Sequence, residues 1–360
     1  MFMRHRLPLF LVKIIYYEYW PFWLFFMPLV PYWIYLAIRA KSLTYFTAAN
    51  PGIIHGGVFG ESKIDILEKI NPKYKPTTLF FKANTGLTEV VDGIEKAGLT
   101  FPMIIKPDVG ERGSEVEKLD SQQDLEHYIT QNHQDFIVQE FVDFDVELGV
   151  LYHKLPISNT SNITSIVQKE FLGVTGDGTT SIRALLQKSE RAKLQMPALE
   201  EKFGSHLDDV LPNGVYKNLQ PIGNHCLGTK FLSGQHLIND KLVKVFDQIS
   251  ADVDGFNFGR FDLKVSSIED LYEGQNIKIL ELNGVTSEPG HIYDPKFNLF
   301  RAYKDTMLSM KTSCLVSIEN MKQGAKVTPF WEMFRLLRTH FSSDEISQNE
   351  LSATKTASAK

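Results

Sequence analysis

Two apolar runs, Phe258 to Val265 and Lys278 to Asn283, limit most strongly what this 360-residue chain can become. Each has the length of a strand, and the polar connection between them, rich in Asp, Glu and Gly, suits an antiparallel return. Side chains alternate across a strand, so Arg260 and Asp262 share a face in Gly259-Arg260-Phe261-Asp262, and Glu281 shares one with Asn283 in Glu281-Leu282-Asn283. Laid side by side, the strands would bring these polar groups together. Asp, Glu and Asn offer oxygen ligands, the type that Mg²⁺ takes while also holding nucleotide phosphates. Arg260 would stand beside them as a fixed cation. A single Asp or Glu on a strand more often faces water. Here the set is followed directly by Gly284-Val285-Thr286-Ser287-Glu288-Pro289-Gly290, a Gly- and Pro-containing loop that suits a substrate mouth.

Strand and helix signals mix through the rest of the chain, which predicts an α+β fold. A Gly-rich stretch from Asn50 through Gly60 reads as a loop feeding a helix from Ser62 to Ile70. Phe101 to Lys106 reads as a buried strand, and Ser121 to Asn132 as a helix whose start pairs Ser121 with Asp124 in a capping arrangement. Phe136 to Glu140, Val146 to Tyr152 and Ser165 to Leu172 are further strands. Leu242, Val245, Phe246, Ile249 and Val253 recur at helical spacing. Val327 to Phe341 reads as a final amphipathic helix, and the tail from Ser342 to Lys360 is too poor in apolar residues to pack, so disorder is expected there. No internal repeat is visible.

Between Trp20 and Ile38 there is no charge, and Trp20, Phe22, Trp23, Phe25, Phe26, Tyr32, Trp33 and Tyr35 crowd the stretch. About 20 apolar residues could span a bilayer. Pro21, Pro28 and Pro31 interrupt this run, however, and aromatics favour the water–lipid boundary, so the expectation is a segment lying in the interface. Arg4, Arg6 and Lys13 before it, and Arg39 and Lys41 after it, suit anionic headgroups without fixing an orientation. Lys13 and Glu18 break the apolar region and no small-residue cleavage site follows, which argues against a cleaved signal peptide. Packing of the segment against the rest of the protein, or against a second subunit in a homo-oligomer, stays equally open.

A net charge of -5 argues against a nucleic-acid binder that works by neutralising phosphates. The only two cysteines, Cys226 and Cys314, form neither a disulfide framework nor a thiolate zinc site, in keeping with a reducing, cytoplasmic setting, with or without attachment to the inner face of a membrane. The ten histidines show no metal-ligand spacing, and neither a Walker A loop nor a dinucleotide fingerprint is present.

The order of these motifs resembles the ATP-grasp superfamily, in which a Glu-x-Asn strand is preceded by a strand bearing Asp. Phe101-Pro102-Met103-Ile104-Ile105-Lys106-Pro107 looks like the family's strand whose lysine contacts nucleotide phosphate, Gly110-Glu111-Arg112-Gly113 like its glycine-rich lid, and Lys63 like its earlier ATP-contacting lysine. Val138-Gln139-Glu140-Phe141-Val142 resembles the interlobe hinge that reads adenine through backbone groups, and Glu147 the acid that holds the ribose hydroxyls. The resemblance runs from about Ser62 to Tyr303 and implies two α/β lobes clasping ATP. It implies cofactor contacts from Lys63, Lys106, Gly110, Gly113, Gln139, Glu140, Val142 and Glu147, and Mg²⁺ (or Mn²⁺) on Asp262, Glu281 and Asn283. The expected organisation is an aromatic N-terminal segment (1–45), a first lobe (46–138), a second lobe with the metal site (139–325), a C-terminal helix (326–341) and the tail.

Gly173 to Leu186 looks like an insertion found in cyanophycin synthetase and in the ATP-grasp half of bifunctional glutathione synthetases, read locally as a Gly-Asp-Gly turn capping a helix. Leu211-Pro212-Asn213-Gly214 and Asn224-His225-Cys226-Leu227-Gly228-Thr229 resemble its later portion, with Lys230 where a small residue is usual. The Glu-x-Asn loop is also similar to that of D-alanine:D-alanine ligase, but residues 1–60 hold no counterpart of that enzyme's N-terminal lobe. The implied activity is a magnesium-dependent carboxylate–amine ligase acting through an acyl-phosphate, with Arg260 as catalytic group and small molecules, amino acids or peptides in kind, as substrates. An ATP-grasp kinase and a non-catalytic, membrane-associated nucleotide-binding protein are the alternatives.

Overall fold

The computed structural model describes residues 7–58, 61–110 and 116–339. Its N-terminal segment folds into the helices α1 (Leu9–Ile15), α2 (Phe22–Phe26) and α3 (Val30–Ala40), with 3₁₀ turns between them. Next come α4 (Lys63–Glu68), β1 (Thr78–Phe81), α5 (Leu87–Lys96), β2 (Met103–Pro107), β3 (Glu117–Leu119), α6 (Gln122–Gln131) and β4 (Phe136–Glu140). The larger part holds β5 (Val146–Leu155), β6 (Thr160–Glu170), β7 (Leu172–Thr175), α7 (Ile182–Leu186), α8 (Glu190–Phe203), β8 (Tyr216–Gln220) and β9 (Lys230–Ser233). It ends with α9 (Asp240–Ala251), β10 (Phe258–Val265), α10 (Ile268–Glu273), β11 (Ile277–Asn283) and α11 (Leu299–Lys322), after which residues 330–339 form one more helix.

The first lobe is a four-stranded antiparallel sheet in the order β1-β4-β2-β3. Alternation sends Met103, Ile105, Phe136 and Val138 toward α5 and α6, where they pack with Val90, Ile94, Leu125 and Tyr128. The same alternation leaves Lys106 and Gln139 on the opposite face. The capping box at the start of α6 is present: Ser121 accepts from the Asp124 backbone and the Asp124 carboxylate reaches back to the Ser121 N–H.

The second lobe is a five-stranded antiparallel sheet in the order β11-β10-β5-β6-β9. One face, with Leu148, Val150, Tyr152, Phe261 and Leu263, buries itself against Leu242, Val245, Phe246 and Ile249 of α9, the helix whose spacing the sequence displays. Between β6 and β9 the chain leaves the sheet to build a small unit, the β7–β8 pair with α7 and α8, around its own core of Leu172, Ile182, Leu186, Leu199 and Leu219. The single strand expected from Ser165 to Leu172 is therefore two, separated at Phe171, where the chain passes from one sheet to the other. The α+β, two-lobed arrangement implied by the resemblance is what the chain adopts.

The long helix α11 has no counterpart in the sequence reading. Its buried side carries Thr306, Ser309, Thr312, Ser313 and Ser317 rather than a row of large aliphatics, so no apolar stripe announces it. The aromatic N-terminal segment packs onto this helix: Leu36, Ala37 and Ala40 lie with Cys314, and Phe25 and Leu29 with Ile292 and Ala302. The expected helix from Val327 to Phe341 is shorter in the described residues, 330–339, starting just after Pro329. The expected disordered tail lies outside the described residues.

Candidate active site between the two sheets

In the β10–β11 ladder Asp262 stands directly opposite Glu281 and Arg260 directly opposite Asn283, so all of these side chains rise from one face. Asn283 Nδ2 donates to Asp262 Oδ2 at 3.2 Å. The acid pair and the amide expected to share a metal are thus brought together. On β10 the same face continues with Lys264, and on the neighbouring strands with Glu147, opposite Lys264, and with Lys169 of β6.

Charge balance within this face is close. Arg260 clamps Asp262 through Nε and Nη2, each 2.9 Å from a carboxylate oxygen. Lys169 Nζ sits 2.9 Å from Glu147 Oε1 and 3.8 Å from Asp262 Oδ1. Burial alone would raise the Asp262 pKa, but the neighbouring Arg260 and Lys169 outweigh it and hold the carboxyl below its usual range. Burial likewise works against a charged Lys169, and Asp262 and Glu147 overcome it, raising that pKa. For Lys264, set against the rings of Phe141 and Phe171, burial wins and the pKa falls.

Gly149 of β5 faces Asp262 across the ladder, and a Cβ there would lie 2.9 Å from Asp262 Oδ1 and 2.8 Å from Val167 Cγ1. Only a residue without a side chain leaves the Arg260–Asp262 clamp its space. Behind the site, Gly284 closes onto the Gly-rich loop that precedes α4: a Cβ on Gly284 would fall 2.5 Å from Gly56 O, and Val285 N donates to that same carbonyl at 3.0 Å. Backbone meets backbone here, which explains why glycines punctuate both loops.

From the first lobe, Lys106 Nζ crosses to donate to Leu280 O of β11 at 3.2 Å and to Gln139 Oε1 at 3.3 Å. Burial lowers its pKa to about 8, against the opposing pull of Glu281 and with help from nearby Lys63. Lys63, the first residue of α4, donates to Asp108 O (3.1 Å) and Gly110 O (2.7 Å), so both lysines stand at the mouth of the same cleft. Gly113 of the expected lid, with Glu111 and Arg112, lies outside the described residues.

The expected hinge does join the two sheets, since β4 belongs to the first and β5 to the second. Its polar groups are already engaged. Glu140 N donates to Thr77 O, the Glu140 carboxylate accepts from Thr77 N, Gln139 Nε2 donates to Thr78, and Val142 O accepts from Lys264 Nζ. Glu147 carries Lys169 as its partner and is buried on the polar face.

Sequence reasoning missed Lys169, Lys264 and the part played by Glu18. Lys169 could have been found by extending alternation along β6, because Val167 and Lys169 share the face of Gly149 and Glu147. Glu18 gave no signal beyond interrupting an apolar run. It is buried and bonded to Arg191 of α8, whose Nη1 also donates to Thr229 O at 2.9 Å. His225 lies 3.8 Å from the Glu18 carboxylate and rests against the Tyr293 ring, while the Tyr293 hydroxyl donates to Glu288 Oε2 at 2.6 Å. The N-terminal segment is thereby clamped over the loop that follows the Glu-x-Asn strand. Lys230, flagged as a departure, points outward to Glu170 at 2.9 Å.

Among the described residues, no three His, Cys, Asp or Glu side chains are arranged to hold a metal by themselves. The donor set nevertheless fits magnesium, which keeps few protein ligands and takes the rest of its shell from water and phosphate.

No protein-family model matches the chain, and no curated protein matches its sequence. Similar solved structures include the D-alanine–D-alanine ligase from Bacillus anthracis, at 12% identity over 73% of this chain and 69% of that one, with a TM-score of 0.40. Others are the VanG D-Ala:D-Ser ligase from Enterococcus faecalis (14%, 69% and 56%, 0.37) and the ATP-grasp ligase PsnB (13%, 69% and 60%, 0.37). The chain therefore spans less than two thirds of the length of either of the last two. The likeness is to ATP-grasp ligases, the family that the motifs resemble. At such TM-scores it adds no weight, and the candidate site rests on the two sheets and the side chains between them.

Proposed function

We propose that this chain is an ATP-dependent ligase that joins a carboxylate to an amine through an acyl-phosphate. The observation that carries the reading is the pairing of Asp262 with Glu281, beside Asn283, on one sheet face that Lys106 reaches from the other lobe. A plain nucleotide binder has no need of a second carboxylate there.

Asp262, Glu281 and Asn283 would hold Mg²⁺ or Mn²⁺, which when bound supplies positive charge to the triphosphate. Lys106 and Lys63 would offset the remaining phosphate charge, with Gly110 and Gly113 in the covering loop. Gln139, Glu140 and Val142 would receive the base and Glu147 the ribose. Each of these four already has a protein partner, so nucleotide entry would exchange those bonds rather than fill vacant ones.

In the first step a carboxylate oxygen of the substrate attacks the γ-phosphorus, the bond to the β-phosphate oxygen breaks, and ADP leaves. In the second, the amine nitrogen attacks the acyl carbon, phosphate departs with the C–O bond electrons, and the amine loses a proton. Arg260 spends Nε and Nη2 on Asp262, and the rest of its guanidinium would stabilise the oxyanion. Losing one well-aimed donor of this kind costs roughly 10²- to 10³-fold in rate.

The test is ADP release across a panel of amino acids and short peptides, with hydroxylamine added as a trap. A hydroxamate formed from the productive carboxylate supports the ligase. A phosphorylated hydroxyl without hydroxamate would make the protein a kinase, and nucleotide binding without turnover on any acceptor would make it a binder.

A further inference from the structure

The helical run from Phe22 to Ala40 is apolar on both sides. One side is packed, through Phe25, Leu29, Leu36, Ala37 and Ala40, against α11 and the segment before it. The other presents Trp23, Met27, Val30, Ile34 and Ile38, from 45% to 71% exposed, at intervals of three and four residues that align them on one helical face. A helix apolar all round needs a cover on both sides.

Nineteen residues would suffice to cross a bilayer. Crossing, however, would strip the packed side from α11, where Leu36, Ala37 and Ala40 meet Met310, Cys314 and Ile318, and where Phe25 and Leu29 meet Ala302 and Met307. Lying in the plane of a membrane surface keeps the packed side and covers the open one.

A second segment, almost three hundred residues away in sequence, carries the same chemistry to the same place. Thr328 donates its N–H to Thr47 Oγ1 (2.9 Å) and accepts from Thr44 Oγ1 (2.6 Å), which ties the start of helix 330–339 next to the end of α3. That helix buries Met333 and exposes Phe330, Trp331 and Phe334. Trp favours the water–lipid boundary, and Trp and Phe together suit the apolar face of a helix lying in that interface. Exposed Lys13, Arg39, Lys41, Arg335 and Arg338 flank the two apolar faces on a chain whose net charge is -5, so the basic rim runs against the overall balance.

We propose that the open face of α2–α3 together with helix 330–339 is a peripheral docking surface for a bilayer containing anionic lipid, with the aromatics in the interface and the basic rim on the headgroups. Sedimentation of the full chain with vesicles tests it, comparing phosphatidylcholine alone with phosphatidylcholine containing phosphatidylglycerol. The protein is expected to pellet with the anionic vesicles and to be released by high salt. Arg39→Glu combined with Arg335→Glu should weaken that binding at least about tenfold. Trp23→Ser combined with Trp331→Ser should do the same, with an unchanged circular dichroism spectrum showing that both variants fold. A full-length protein that stays in the supernatant with both vesicle types overturns the proposal. So does equal binding to neutral and anionic vesicles, or a concentration-dependent dimer that the Trp23→Ser and Trp331→Ser changes dissolve.

Discussion

Asp262 is both the candidate metal ligand and the partner that keeps Arg260 and Lys169 satisfied inside the protein. Removing it leaves the half-buried Arg260 guanidinium without its carboxylate, while Lys169 keeps Glu147, so the loss should stay below the roughly 3–5 kcal/mol of a fully buried pair. Asp262→Ala is therefore expected to lose stability along with turnover, visible as a lowered melting temperature. Glu281, half-buried and outside that clamp, gives the cleaner experiment: Glu281→Ala should abolish ATP turnover while thermal melting stays near that of the parent protein. Lys106 adds a pH signature. Below about pH 8 it carries its proton and attracts phosphate; above, it is neutral, so ATP affinity should fall as pH rises through that value. Titrating nucleotide across this interval should show the limb in the parent protein and not in Lys106→Met. Asp262, Glu281 and Asn283 were legible in the sequence because strand alternation alone fixes which residues share a face. Lys169 and Glu18 were not, since their partners come from other elements and depend on how those elements pack.

The elements around the site are held by a few buried polar joints. Asn50 is fully buried, donates to Gly56 O (3.0 Å) and Phe258 O (2.8 Å), and accepts from the backbone of Asn257 (2.8 Å) and Phe258 (2.9 Å), fixing the Gly-rich loop to the start of β10. Each buried group left unpaired costs about 1–3 kcal/mol, so Asn50→Ala should destabilise the protein by roughly 3 kcal/mol or more in chemical denaturation. Glu18 plays the corresponding part for the N-terminal segment. Glu18→Ala, which leaves Arg191 buried without its carboxylate, should cost about 3 kcal/mol, and Arg191→Met in the same chain should restore most of it. β4 and β10, and the capped helix α6, were readable because their signals are local. The helix α11 was not, because it buries hydroxyls that bond its own backbone, as Thr306, Thr312 and Ser317 do, and so shows no amphipathic stripe.

At the scale of the molecule, two antiparallel sheets face one another and touch where Lys106 meets Leu280, with Lys63 at the same mouth. The polar face of the second sheet thereby becomes the floor of a cleft, and the N-terminal segment, through Glu18, Arg191 and the loop ending at Tyr293, closes one end of it. The α+β class and the two lobes could be read from the order of strands and helices. That residues 9–40 would pack onto α11 and the loop before it could not, because an apolar aromatic run is compatible with several kinds of cover. The most direct test of the account is calorimetric titration of ATP with and without Mg²⁺, on the parent protein and on Glu281→Ala. The account predicts that Mg²⁺ strengthens nucleotide binding to the parent protein and that most of this gain disappears in the variant. An equal gain in both proteins, or none in either, would contradict it.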